Sequence, residues 1–281
     1  MIKEELVTMR LPYFEGKYKT VRVYIPAHKE EERFPVIYMT DGQNLFDFNA
    51  DKGQFGCWYT REAVRAEQET SGRAAIIVGI HNDEGPLERA NDLTPKTIGK
   101  LNYPEDMDEQ TKQMAAMLKP RGELFADFVI NTVMTTVEKQ FPVKTGRENT
   151  SFCGSSSGGL ASLSFALSFP DKFCAAGVFS PVPYYLIYEA KDVENWIYQC
   201  VKQQEALPYL YMYAGGADEM EKAFCQGTEH TWQLLKECYP SGLLNKVIKP
   251  EQRHHESAWE IVFRDFLHIF CNSEKYIKSE E

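Results

Sequence analysis

The sequence predicts an α/β fold in one domain spanning residues 1–281, with a mainly parallel central sheet and helices on both faces. Three observations predict it. Short apolar runs alternate with stretches of helical period, the pattern of strand–helix–strand units. The runs 36–39 (VIYM) and 74–80 (AAIIVGI) are continuously apolar, as strands covered on both faces must be. The length of 281 residues and an apolar content of 43% support one large core rather than several small ones.

The elements follow in order. Strands are expected at about 6–11, at 20–25 with alternating apolar residues, and at 35–39. A helix is expected over 58–67, and then the buried strand 74–80. Residues 82–121 break the rhythm, being highly charged and interrupted by Pro86, Pro95 and Pro104. They read as an excursion over the strand ends, either a solvated surface loop or a lid, with a short helical stretch at 107–118. An amphipathic helix covers 122–141, with Phe128, Val129, Val133 and Val137 on its apolar side. Strands at 150–153, 175–179, 209–214 and 244–248 alternate with helices at 157–169 and 228–238. A last helix begins at Ser257, where Ser257 and Glu260 have capping-box spacing.

Composition excludes several functions. The net charge of −10 leaves no basic stripe for phosphates and disfavours an anionic membrane, so neither nucleic acid nor membrane is an expected partner. Seven cysteines without a Cys-x-x-Cys pair read as free thiols of a reducing compartment. With no signal-peptide core and no run of membrane-spanning length, a cytoplasmic location is expected. There is no dinucleotide fingerprint and no phosphate loop. His255-Glu256 opens like a zinc-protease helix, but Trp259 stands where the second histidine would be. No cofactor and no metal are expected, and a homo-oligomer remains open.

The chemistry centres on Gly154-Ser155-Ser156-Ser157-Gly158, placed between a strand and a helix. A serine on a sharp strand-to-helix turn needs a strained backbone, and neighbours two residues away that lack Cβ. Ser156 is therefore the expected nucleophile. The amide of Ser157, at the positive end of the next helix, would face the oxyanion. The second oxyanion amide is expected from the loop after 36–39, where Gly42 would let Gln43 turn inward. A serine hydroxyl needs a base, and the base needs an acid to orient it, in the order Ser, acid, His. Of six histidines, His254 and His255 lie on the loop before the last helix, where either could reach Ser156. Asp218, just beyond 209–214, is the expected acid, with Glu219 as its alternative. Glu221 is the weaker candidate because it should already be helical.

These residues resemble the putative-esterase family of α/β-hydrolases. That family includes esterase D (S-formylglutathione hydrolase), ferric enterobactin esterases, feruloyl and acetyl-xylan esterases, and mycolyltransferases. The likeness is to the bacterial branch carrying Asp-Gly-Gln-Asn-Leu-Phe, here Asp41 to Phe46. Val78-Gly79-Ile80, Thr94-Pro95, Gly158-Gly159-Leu160 and Phe179-Ser180-Pro181 add to it. His254-His255-Glu256-Ser257-Ala258-Trp259 looks like the branch's His-Asn-Glu-x-x-Trp, which implies His254 as the catalytic histidine. Two positions depart. His81 stands where the branch often has Asp, which implies an altered contact either with the substrate or with residues behind the site. Asp218 falls where the family often has Glu, which leaves Asp218 and Glu219 both open.

The resemblance implies the α/β-hydrolase fold and a serine carboxylic-ester hydrolase acting on a small-molecule ester. Its triad would be Ser156, His254 and Asp218, with oxyanion amides from Ser157 and Gln43. Trp58, His81, Tyr184 and Tyr185 are candidate pocket walls, although such aromatics also fill cores. Acyl transfer to a sugar or other alcohol is the alternative on the same site. A binding protein on a hydrolase scaffold is the alternative of a different class.

Overall fold

The computed structural model describes residues 1–48, 56–82, 86–102, 112–113 and 116–272. Its frame is one eight-stranded sheet: β1 (Glu5–Pro12), β2 (Tyr18–Ile25), β3 (Val36–Met39), β4 (Ile76–Ile80), β5 (Thr150–Ser155), β6 (Ala175–Phe179), β7 (Tyr209–Ala214) and β8 (Leu244–Ile248). The order is β1-β2-β4-β3-β5-β6-β7-β8. The β1–β2 and β2–β4 pairs are antiparallel, and every pair from β4 to β8 is parallel. Residues of β3 to β7 are buried throughout, whereas β1 alternates between exposed and half-buried as an edge strand should.

Helices cover both faces. They are α1 (Thr60–Ser71), α2 (Pro86–Leu93), α3 (Gly122–Asp127, Phe128–Met134 and Thr135–Gln140 in continuity), α4 (Ser157–Ser168), α5 (Ala190–Lys202), α6 (Glu219–Cys238) and α7 (Glu256–Asn272). Alternation along β7 shows the two faces. Tyr209, Tyr211 and Tyr213 pack with Phe179, Phe263 and Phe266 in one cluster, while Leu210 and Met212 pack with Leu163, Leu167 and Ile197 in the other. Among the described residues, no helix is long and apolar enough to cross a membrane.

Two boundaries differ from expectation for physical reasons. Helix α6 begins at Glu219, well before Thr228, because Asp218 caps it by accepting from the Glu221 amide at 2.8 Å. Gly227, which weakens a helical reading, is required there by packing, since a Cβ would lie 2.6 Å from Pro183 Cβ. Helix α7 begins at Glu256, and the Ser257 amide donates to His255 Nδ1 at 3.1 Å. The helical stretch expected at 107–118 falls for the most part outside the described residues.

The described parts of the charged excursion are fastened to the body. Asp92 receives Lys19 at 2.6 Å, Arg121 at 2.5 Å and the Tyr13 hydroxyl at 2.9 Å. Farther along, Leu101 bridges to Tyr188, and the Lys100 amide donates to Asp192 at 2.8 Å.

At the sheet edge, Glu4 accepts from Arg65 of α1 and from the Tyr24 hydroxyl of β2. The Arg65 hydrogen bond outweighs desolvation and, with Tyr24, lowers the Glu4 carboxyl from 4.5 to about 2. Because the folded value is depressed, the stabilisation is complete above about pH 4.5 and fades as pH falls toward 2. Glu4→Gln should therefore melt about 1–3 °C below wild type at pH 7, as for a partly exposed ion pair. Thermal melts at several pH values should show that gap closing between about pH 4.5 and 2. A gap that is constant with pH contradicts the assignment.

Candidate active site

The carboxyl ends of the parallel strands meet at one edge, and the loops leaving them carry the polar groups of interest. Strand β5 ends at Ser155, and Ser156 then adopts φ 59°, ψ −124° before α4 starts at Ser157. A non-glycine residue at positive φ is strained and persists only where its surroundings hold it. Here the Ser156 amide donates to Phe179 O at 3.0 Å, and its carbonyl accepts from Val182 N at 3.1 Å. The flanking glycines are required by the loop after β3. A Cβ on Gly154 would lie 2.5 Å from Thr40 Oγ1, and one on Gly158 would overlap the same atom. Ser157 opens α4, where the first amides have no partner within the helix.

The loop after β3 is also strained and also held. Asp41 has φ 56° and precedes a tight helical turn, Gly42–Asn44, which carries Gln43. The Asp41 carboxylate is 7% exposed and accepts from Thr40 Oγ1 at 3.1 Å, Arg89 Nε at 2.6 Å, Arg89 Nη2 at 3.0 Å and Asn82 Nδ2. Burial opposes its charge, but the Arg89 charge and these hydrogen bonds together hold it below the usual carboxylate value. Arg89 Nη2 also reaches Ser155 O at 3.4 Å, so one guanidinium joins this loop to the strand before Ser156. Asn44 Nδ2 donates to Glu256 Oε1 at 3.1 Å, which ties the same turn to the start of α7.

His254 lies after β8, and its Nδ1 is 2.5 Å from Glu221 Oε2. A ring nitrogen facing a carboxylate is the protonated one, which leaves Nε2 as the acceptor. Phe224 and Trp259 pack edge-on to the imidazole at 4.6 and 4.9 Å. Glu221 is fully buried, and its Oε1 accepts from Ser180 Oγ at 2.5 Å and from the Gly215 amide at 2.6 Å.

The carboxylate on His254 is thus that of Glu221, not that of Asp218. Asp218 instead holds main chain, with Oδ1 accepting from Glu221 N at 2.8 Å and Oδ2 from His254 N at 3.1 Å. The first of these bonds holds the Asp218 carboxyl below its ordinary value, helped by the second. Glu219 points to solvent and pairs with Lys222 at 2.6 Å. Being helical does not disqualify Glu221, because a side chain in the first turn leans back toward the helix start. That direction is toward Gly215 and His254.

The remaining expected residues are spread out. His255 Nδ1 is engaged by Ser257. Trp58 is 2% exposed and stacks on Phe179 in the core. Tyr184 is buried, with its hydroxyl 2.9 Å from His230 Nδ1. Tyr185, in the helical turn Tyr184–Leu186, and His81, directly after β4, are half-buried. Among the described residues, no cluster of His, Cys, Asp and Glu could hold a metal. Three residues of the site lack a usable signal in the sequence. Arg89 is one charge among many in the excursion, Ser180 stands out only within Phe-Ser-Pro, and Glu221 reads as an ordinary helix residue.

The sheet order and the Ser156 turn define an α/β-hydrolase. Residues 14–207 match the family described as "Putative esterase", and the chain belongs to that family. It is a carboxylic-ester hydrolase. The matched span includes Ser156 and ends before Glu221 and His254. No curated protein matches the chain. Among solved structures it is similar to the BES protein from Bacillus cereus, at TM-score 0.70 and 19% identity over 97% of this chain and 96% of that one. It is similar to siderophore hydrolase EstB from Aspergillus nidulans, at TM-score 0.69 and 17% identity over 98% and 97%. An IroE-like serine hydrolase from Shewanella oneidensis aligns at TM-score 0.67 and 16% identity over 95% and 80%. At such identities the likeness is one of fold.

Asp41→Asn keeps a residue type that tolerates positive φ but removes the charge facing Arg89. It should cost about 1–3 kcal/mol in urea unfolding, the worth of charge-assisted bonds at a partly open site. Much of that loss should be absent when Asn is introduced into an Arg89→Met background. Additive losses would show that the two side chains do not act as a pair.

Proposed function

We propose that the enzyme hydrolyses a small-molecule carboxylic ester through an acyl-enzyme on Ser156, with His254 as base and Glu221 as the acid that orients it. The observation carrying this reading is the 2.5 Å contact between His254 Nδ1, on the loop after β8, and Glu221 Oε2, in the first turn of α6, at the same sheet edge as the Ser156 turn. In this mechanism Ser156 Oγ attacks the ester carbonyl while His254 Nε2 takes its proton. Glu221 holds the imidazole in the required tautomer and stabilises the imidazolium, remaining ionised itself. The amides of Ser157 and Gln43 stabilise the oxyanion, aided by the positive end of α4. His254 then returns the proton to the leaving alcohol, and water repeats the sequence to release the acid.

The strained turns fit this chemistry because an oxyanion site works by being fixed before the charge develops. Both turns of the proposed machinery are held from outside, the Ser156 turn by the end of β6 and the turn bearing Gln43 by Arg89 of α2.

Hydrolysis of p-nitrophenyl acetate by four variants tests the roles. Ser156→Ala and His254→Ala should fall to background. Glu221→Gln should lose about 10³–10⁴ in kcat, as triad acids do. Asp218→Asn should lose about tenfold or less, since its bonds are to main chain and Asn also caps helices. A larger loss for Asp218→Asn than for Glu221→Gln would move the acid role to Asp218. Full activity in Ser156→Ala would remove the nucleophile.

A further inference from the structure

The residue after β6, Ser180, combines three properties rarely found together in a residue with only a packing role. It is fully buried, it adopts φ 39°, and its hydroxyl lies within the polar network behind His254. Its main chain is bonded into the next strand, the amide donating to Tyr213 O at 2.6 Å. Backbone strain at a buried polar residue directs attention to what its side chain reaches.

Donor logic fixes the direction of the bonds. Trp259 Nε1 can only donate, and it lies 3.1 Å from Ser180 Oγ. The single hydroxyl proton of Ser180 is thereby free for Glu221 Oε1, at 2.5 Å. Glu221 Oε1 also accepts from Gly215 N, and Oε2 faces His254 Nδ1. The carboxylate is therefore held at both oxygens by donors from the ends of β6, β7 and β8. Its plane, and with it the direction of His254, follows from those three contacts. Trp259 contributes twice, since its ring also packs edge-on to the imidazole of His254.

We propose that Ser180 is a positioning residue for catalysis, and that the Trp259 indole and the Ser180 hydroxyl form a brace fixing the plane of the Glu221 carboxylate. This deepens the triad proposed above and rests on Glu221 being its acid. Removing the hydroxyl leaves the indole N–H without its acceptor, and lets the carboxylate rotate about its remaining bonds. A rotated carboxylate mispoints His254 without touching the ester, so the effect belongs in kcat and not in KM.

The test measures kcat and KM for p-nitrophenyl acetate in Ser180→Ala, Ser180→Cys and Trp259→Phe, each in wild-type and Glu221→Gln backgrounds. Ser180→Ala should lower kcat about 10–100-fold, the worth of one charge-assisted hydrogen bond, with KM within about twofold. Ser180→Cys, which keeps a weaker donor without a branched Cβ, should recover part of the loss. In the Glu221→Gln background, Ser180→Ala should add less than about twofold, because the residue acts only through that carboxylate. Trp259→Phe keeps an aromatic ring without the N–H. It should lower kcat less than Ser180→Ala and add nothing to it, which also serves if Ser180→Ala does not fold. Wild-type kcat in Ser180→Ala, or an equal loss with and without Glu221, overturns the brace alone. Full activity in Glu221→Gln overturns both the brace and the acid on which it rests.

Discussion

The buried carboxylate of Glu221 joins three chain segments that are far apart in sequence. It accepts from Ser180 after β6, Gly215 after β7 and His254 after β8. A charge with no exposed surface is tolerated only when hydrogen bonds replace water, and both of its oxygens are supplied. Parallel pairing makes this arrangement available, because it brings the carboxyl ends of successive strands to one edge. Asp218 then closes the assembly from outside by binding the main chain of Glu221 and of His254.

A second fixed charge does comparable work on the other side of the Ser156 turn. Asp41 and Arg89 bind in a two-pronged pair, and Arg89 also reaches the carbonyl of Ser155. The turn bearing Gln43 and the strand bearing Ser156 are thus tied through one guanidinium. Both Asp41 and Ser156 have positive φ, so the strained positions and the tightly bonded ones coincide. That coincidence suits a site that must hold its geometry before a substrate arrives.

The sheet and the Ser156 turn were legible in the sequence because they depend on local rules. Continuous apolar runs such as Val36–Met39 can be read as buried strands, and Gly154 and Gly158 leave their own mark two residues from Ser156. Which carboxylate faces His254 was not legible in the same way. Asp218 follows β7 where an acid was expected, but it caps α6 and binds the His254 amide instead of the His254 ring. Glu221 takes its place from the start of α6, which the Asp218 cap sets, and its side chain leans back from there to His254. Arg89 and Ser180 likewise take their roles from partners 48 and 41 residues away in the chain.

The most direct measurement is mass spectrometry of the protein after brief reaction with a fluorophosphonate. An activated serine should take one adduct per chain, on the peptide containing Ser156, and Ser156→Ala should take none. An adduct on another residue, or none from a preparation that hydrolyses p-nitrophenyl acetate, would contradict the acyl-enzyme at its first step.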